Sequence, residues 1–118
     1  MMTRCAYYVG TVRPEDQAVF DAYVRDVHMP MVALWPRLRR LRLHKNDGKP
    51  YLGEAPRYYQ CFELTFDNQA DMDFCMASPD RAETRRISQE DHARFKGLFQ
   101  GEVHHVNYAV TDFPCTDA

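Results

Sequence analysis

The chain has no C-x-x-C pair and no cysteine close to a histidine, so the local spacings that build a zinc site are missing. Its four cysteines, Cys5, Cys61, Cys75 and Cys115, are scattered. The first three have apolar neighbours and read as buried free thiols, whereas Cys115, in "FPCTDA", reads as exposed. No apolar run approaches the roughly 20 residues that span a bilayer. The start, "MMTRCAYYVG", lacks the basic opening, long apolar middle and small-residue exit of a secretion signal. The expectation is a cytoplasmic protein without membrane contact. Neither sign of charge dominates: 15 Lys+Arg against 17 Asp+Glu give a formal charge of -2, and with it no basic field for a nucleic acid. Internal repeats and low-complexity tracts are absent as well, which excludes a solenoid.

What is there suits one core. With 118 residues, 45% hydrophobic and 13% aromatic, the chain can bury a core of useful size but not two. A single domain over 1–112 with a tail at 113–118 is expected. The run 5–12, "CAYYVGTV", is β-branched and aromatic and reads as a strand. From Glu15 the period changes: Phe20, Val24, Val27, Met31 and Leu34 recur at helical steps, predicting a helix over 14 to about 35. "RLRRLRLHK" alternates Leu41 and Leu43 with charged residues and predicts a second strand. Residues 47–56, with two Gly and two Pro, predict a loop that serves as a lid or an interface arm. In 57–66, "RYYQCFELTF", Tyr58, Phe62, Leu64 and Phe66 fall on one face of a third strand and Tyr59, Cys61, Glu63 and Thr65 on the other. Asn68, Ser78 and Ser88 read as three N-caps, predicting a second helix broken into 69–77, 79–87 and 89–96. "GEVHHVNYAV" is the fourth strand, placing His104 and His105 on opposite faces.

This order is β-α-β-β-α-β, an α+β, ferredoxin-like arrangement of a four-stranded antiparallel sheet with its helices on one face. Strands one and three carry apolar or aromatic residues on both faces, which predicts a second copy covering the bare face and hence a homodimer, a dimeric α+β barrel.

The stretch 24–36, "VRDVHMPMVALWP", is anomalous, because a histidine and then a proline interrupt an apolar helix. At about 100° per residue, His28 lies about 40° past Val24, beside Trp35 on the edge of the stripe, where it can face a cleft. Pro30 clashes with the carbonyl of Asp26 at a cost of about 3 kcal/mol in a straight helix, so a kink is expected between His28 and Met31. His28 is then either a half-buried structural group or a site residue held at a bend. Glu63 is either a pocket acid or an ion-pair partner of Arg40 or Arg42. The tyrosines, among them Tyr7, Tyr8, Tyr58, Tyr59 and Tyr108, read as core and barrel aromatics, one of which can orient a substrate oxygen. A metal would require His28, one of His104 and His105, and Glu63 to converge, and no local spacing enforces that. The expectation is no metal and no cofactor.

Phe20 ahead of His28-x-Pro30, Glu63-x-x-Phe66, Ser78-Pro79, and Asp91 with Phe95 four residues on together resemble the EthD family of dimeric α+β barrel proteins, over about residues 5 to 110. The wider superfamily is similar in fold to muconolactone isomerases, polyketide cyclases and cofactor-independent monooxygenases, which hold small hydrophobic, oxygenated rings between sheet and helices. Carried over residue by residue, the resemblance bears on His28 and Pro30, and it tips His28 toward a functional role. Histidine suits acid/base work because its ordinary pKa of about 6.5 lets it take and return a proton near neutrality. The implied function is a small cofactor-free enzyme that moves a proton on a small hydrophobic oxygenated metabolite, by isomerisation, cyclisation or elimination. His28 is the catalytic candidate, and Trp35, Tyr59, Glu63 and His105 are the substrate-binding candidates. A noncatalytic metabolite-binding protein of a catabolic pathway is the alternative from another class, and a cofactor-independent monooxygenase is a further one.

Overall fold

The computed structural model describes residues 1–50, 52–54, 57–94 and 97–116, with backbone only at 92–94. The strands are β1 (Met2–Val12), β2 (Arg40–Lys45), β3 (Tyr58–Phe66) and β4 (Phe99–Ala109). They form one antiparallel sheet in the order β2-β3-β1-β4, the ferredoxin-like order expected of a split βαβ chain. Between β1 and β2 run α1 (Gln17–Tyr23), a π-helical turn (Val24–His28) and α2 (Met29–Val32). Between β3 and β4 lie α3 (Gln69–Met76) and α4 (Pro79–Arg94). The core is the helix-facing row of the sheet: Ala6, Phe62, Leu64 and Phe66 bury against Val32, Met72 and Cys75. Part of the 47–56 loop, with Tyr51, Ala55 and Pro56, lies outside the described residues, as does the Phe95–Lys96 end of the last predicted helix piece.

Three expectations are corrected. The first is the single helix over 14 to about 35. It opens into a π-turn in which the Met29 N–H bonds the Val24 carbonyl five residues back, so Pro30 falls in the first turn of α2, where no intrahelical donor is needed. The wider turn also rephases the apolar stripe. Val27 and Leu34, predicted inside, are 42% and 80% exposed, while Val24 and Val32 are buried. His28 lies between those two at four-residue steps, and so turns from the stripe's edge toward the sheet.

The second concerns the helix after β3. Asn68 caps α3 by accepting from the Asp71 N–H at 2.8 Å, and the Ser78 hydroxyl accepts from the Arg81 N–H at 3.2 Å, but α4 runs through Ser88 without a break. Ser88 has a tertiary partner for its hydroxyl, so it does not compete for the backbone as a cap.

The third is the facing of β3. Tyr8 pairs with Gln60 and Val9 with Tyr58, so Tyr59 is an extra, bulged residue. Tyr59 therefore packs on the helix side against Phe20, with ring centroids 5.6 Å apart, and Tyr58 meets Tyr7 on the other face. Beyond the bulge, Phe62, Leu64 and Phe66 keep the predicted face. Where β1 and β4 pair at Gly10 and Gly101, a Cβ on either would lie 2.2 or 2.1 Å from the other strand's carbonyl oxygen, and both glycines have φ near +155°; only glycine fits here.

Candidate active site

Register places the site. Arg4, Ala6 and Tyr8 alternate along β1 toward the helices, with Leu64, Phe62 and Gln60 beside them on β3 and Asn107, His105 and Val103 on β4. Across the gap, α4 presents Arg81, Thr84, Arg85 and Ser88, whose steps of three, one and three put them on one helix face. His28 and Trp35 close the near end. The space between has a volume of about 690 Å³. A smaller space of about 220 Å³ lies on the far side of His28, toward Phe20, Leu98 and Phe99; His28, Tyr8, Ser88 and Val103 line both.

His28 is the partition between the two spaces. Its Nδ1 lies 3.1 Å from Ser88 Oγ, and its ring stands edge-on to Phe62 at 5.7 Å and near-parallel to Tyr23 at 6.5 Å. Nε2 has no hydrogen bond among the described residues. Burial pushes the pKa of His28 below its ordinary value, because the charged ring would lose its water. The lowered pKa favours the uncharged imidazole, whose Nδ1 is held by Ser88. Tyr8 is complementary: burial raises its phenol to about 12, so it keeps its proton and remains a donor.

Trp35 is a fixed wall. Its indole Nε1 donates to Thr84 Oγ1 at 3.0 Å, and the Thr84 hydroxyl in turn donates to the Asp80 carbonyl at 3.0 Å. His105 sits on the helix-facing side of β4, and burial together with Arg4, Arg81 and Arg85 lowers its pKa.

Of the residues singled out from sequence, His28, Trp35 and His105 line one cavity; Tyr59 and Glu63 do not. Glu63 lies on the opposite face of the sheet, where it accepts from Arg42 Nε at 2.8 Å and also from Arg42 Nη2, so the ion-pair alternative describes its surroundings. Tyr59, displaced by the bulge, donates its hydroxyl to Asp21 Oδ1 at 2.7 Å beneath Lys45, at the lateral end of the sheet. His104 points away from His105 and meets Glu102 at 2.9 Å. Among the described residues no three His, Cys, Asp or Glu side chains converge to hold a metal ion. Cys5 and Cys75 are buried and Cys115 is exposed, as expected, while Cys61 is only half-buried.

Sequence reasoning passes over Arg4, Arg81, Thr84 and Arg85, and takes Ser88 for a helix cap. A signal existed: α4 has almost no apolar stripe, although a helix packed on a sheet needs one unless its polar face looks into a cavity.

A family model described as the EthD domain matches residues 13–97. No protein of curated function matches the sequence. Among solved structures, an EthD (ethyl tert-butyl ether D) family protein from Bacillus halodurans is 20% identical with a TM-score of 0.69, covering 94% of this chain and 99% of that one. An EthD-like protein from Ralstonia eutropha is 16% identical with a TM-score of 0.63, over 99% and 96% of the two chains. A dimeric protein of unknown function and ferredoxin-like fold from Bacteroides fragilis is 15% identical with a TM-score of 0.59, over 92% and 95%. At these identities the likeness concerns the fold, whereas the family model reaches the sequence itself across most of the chain. Matched over residues 13–97 and folded like two EthD-family structures, the chain belongs to the EthD family.

Proposed function

We propose that the protein is an enzyme that moves a proton on a small hydrophobic, oxygenated metabolite bound between sheet and helices, with His28 as the base. The observation that carries this reading is His28 itself: a part-buried imidazole on the cavity lining, with Nδ1 on Ser88 and its pKa lowered by burial. With Nδ1–H donating to Ser88 Oγ, Nε2 holds the lone pair and takes a proton from a carbon beside a carbonyl. Charge then develops on the carbonyl oxygen, and the protonated Tyr8 phenol is the nearby neutral donor that can stabilise it. The imidazolium returns the proton at another atom to complete an isomerisation, cyclisation or elimination.

The experiment is exchange in heavy water: cyclic ketones and β-keto acids are incubated with the protein, and loss of the activated C–H signals is followed by NMR. The wild-type chain should catalyse exchange and His28→Asn should not. Ligand binding without any exchange would support the noncatalytic binding reading instead.

We also propose that the chain works as a homodimer joined through the sheet face that no described helix covers. Tyr7, Tyr58 and Tyr108 stand there, the last two 49% and 42% exposed, and the Tyr7 and Tyr108 hydroxyls lie 2.9 Å apart. Covering about 800 Å² per partner is the usual scale of a stable interface. Light scattering should give twice the 13.9 kDa chain mass, and a monomer at micromolar concentration would remove the barrel.

A further inference from the structure

Six arginines, Arg13, Arg25, Arg37, Arg39, Arg42 and Arg86, are each within 4.0 Å of an Asp or Glu oxygen. Arg4, Arg40, Arg57, Arg81 and Arg85 have no carboxylate partner among the described residues; Arg40 and Arg57 are exposed and lie outside the cavity, whereas Arg4, Arg81 and Arg85 all line it, and its described lining contains no acidic residue. They are close enough to feel one another: Arg81 and Arg85 both disfavour the charge on Arg4, and Arg85 disfavours that on Arg81. Like charges gathered at a cavity without counter-charge cost stability. Two of the three are also held in place. Arg4 Nη1 donates to Asn107 Oδ1 at 3.1 Å and Arg81 Nη1 donates to the Met76 carbonyl at 3.2 Å, which leaves their other N–H groups for something else. The adjoining walls, Ala6, Phe62, Leu64 and Trp35, are apolar or aromatic.

We infer that the cavity takes an organic anion, an apolar body ended by a carboxylate, whose head group is held by Arg4, Arg81 and Arg85. This rests on the reading of the cavity as the metabolite site and adds the chemical class of the metabolite. Guanidinium forks match a carboxylate in the plane and bind it through two parallel hydrogen bonds. A volume of about 690 Å³ accommodates a ring with a short acid side chain. The same field favours the negative charge that develops when His28 removes a proton from the bound acid.

The test uses the whole chain and its one tryptophan, Trp35, whose fluorescence reports from the cavity wall. The probes are 4-phenylbutyrate, its neutral twin 4-phenylbutan-1-ol, and 4-phenylbutyl phosphate. The carboxylate should bind at least about 10-fold tighter than the alcohol and weaken as salt is raised. Arg85→Gln is the variant of choice, because Arg85 has no hydrogen bond or ion pair among the described residues and its loss should not harm folding. It should cost about 10-fold in affinity for 4-phenylbutyrate, leave the alcohol unaffected, and leave the melting temperature equal or higher. Arg4→Gln provides a second reading from the sheet side. Equal binding of acid and alcohol, or no effect of either variant, would overturn the inference, and tighter binding of the phosphate ester than of the acid would overturn the carboxylate. If the acid binds through the arginines while His28→Asn still exchanges protons normally, the substrate class stands and the proton-transfer reading falls.

Discussion

The two faces of the sheet carry charge differently. On the face away from the helices, Arg42 is matched to Glu63, His104 to Glu102 and Tyr7 to Tyr108. On the helix-covered face, Arg4, Arg81 and Arg85 crowd one another unmatched, and Nε2 of His28 has no hydrogen bond among the described residues. Paired charge on a surface is what a fold needs for itself. Unpaired charge around a cavity costs stability and is retained where a ligand completes it.

The largest effect expected from breaking this contrast is at His28. His28→Asn keeps a polar group for Ser88 but no proton exchange near neutral pH, so turnover should fall about 100-fold or more while stability drops by about 1 kcal/mol or less. Rate and melting temperature measured on one preparation decide it, and unchanged turnover in a stable variant would remove His28 from the mechanism.

The same residue sets a pH dependence. Its folded pKa lies below the ordinary 6.5, so the unfolded chain binds the proton more readily and His28 contributes stability at neutral pH that is lost as pH falls through the lowered folded value. His105, lowered by burial and by Arg4, Arg81, Arg85 and His104, acts in the same direction. Facing His28 are Ser88 from α4, Phe62 from β3 and Tyr23 from its own helix, with Asp91 holding the Tyr23 hydroxyl at 2.8 Å. Denaturant melts from pH 7.5 down to about pH 5 should show falling stability, with a shallower slope in His28→Asn; equal slopes would show that His28 is not the group responsible.

Trp35→Phe comes next. It removes the indole donor to Thr84 and should cost about 1 kcal/mol, with affinity for a cavity ligand weakening alongside. Smallest should be the effect of Glu63→Gln on ligand binding, with no change in affinity, because Glu63 pairs with Arg42 on the far face of the sheet from the cavity. If Glu63→Gln abolished ligand binding, the contrast between the faces would fail.

The strands and the helical order were legible because alternation and four-residue steps are local. The faces of Phe62, Leu64 and Phe66, and the opposed directions of His104 and His105, come from a period of two alone. Tyr59 was misplaced beside Glu63 because one bulged residue inverts that period and leaves no mark in composition. Val27 and Leu34 were placed inside because a 3.6-residue period assumes an unbroken α-helix. Ser88 was read as a cap because its partner, His28, lies 60 residues away. The arginine group was hidden for the same reason: it exists only after β1 and α4 meet across the cavity.

The π-turn at Val24–His28 ties the site to the length of the chain as well as to its letters. A π-turn fits one more residue than an α-turn into about the same rotation, so losing one codon from that segment would let it close to an α-helix while α1 and α2 keep their faces on the core. A substitution scan would score the exposed positions Arg25 and Asp26 as permissive, yet a deletion at either would remove the residue that opens the turn, and with it the bond from the Met29 N–H to the Val24 carbonyl.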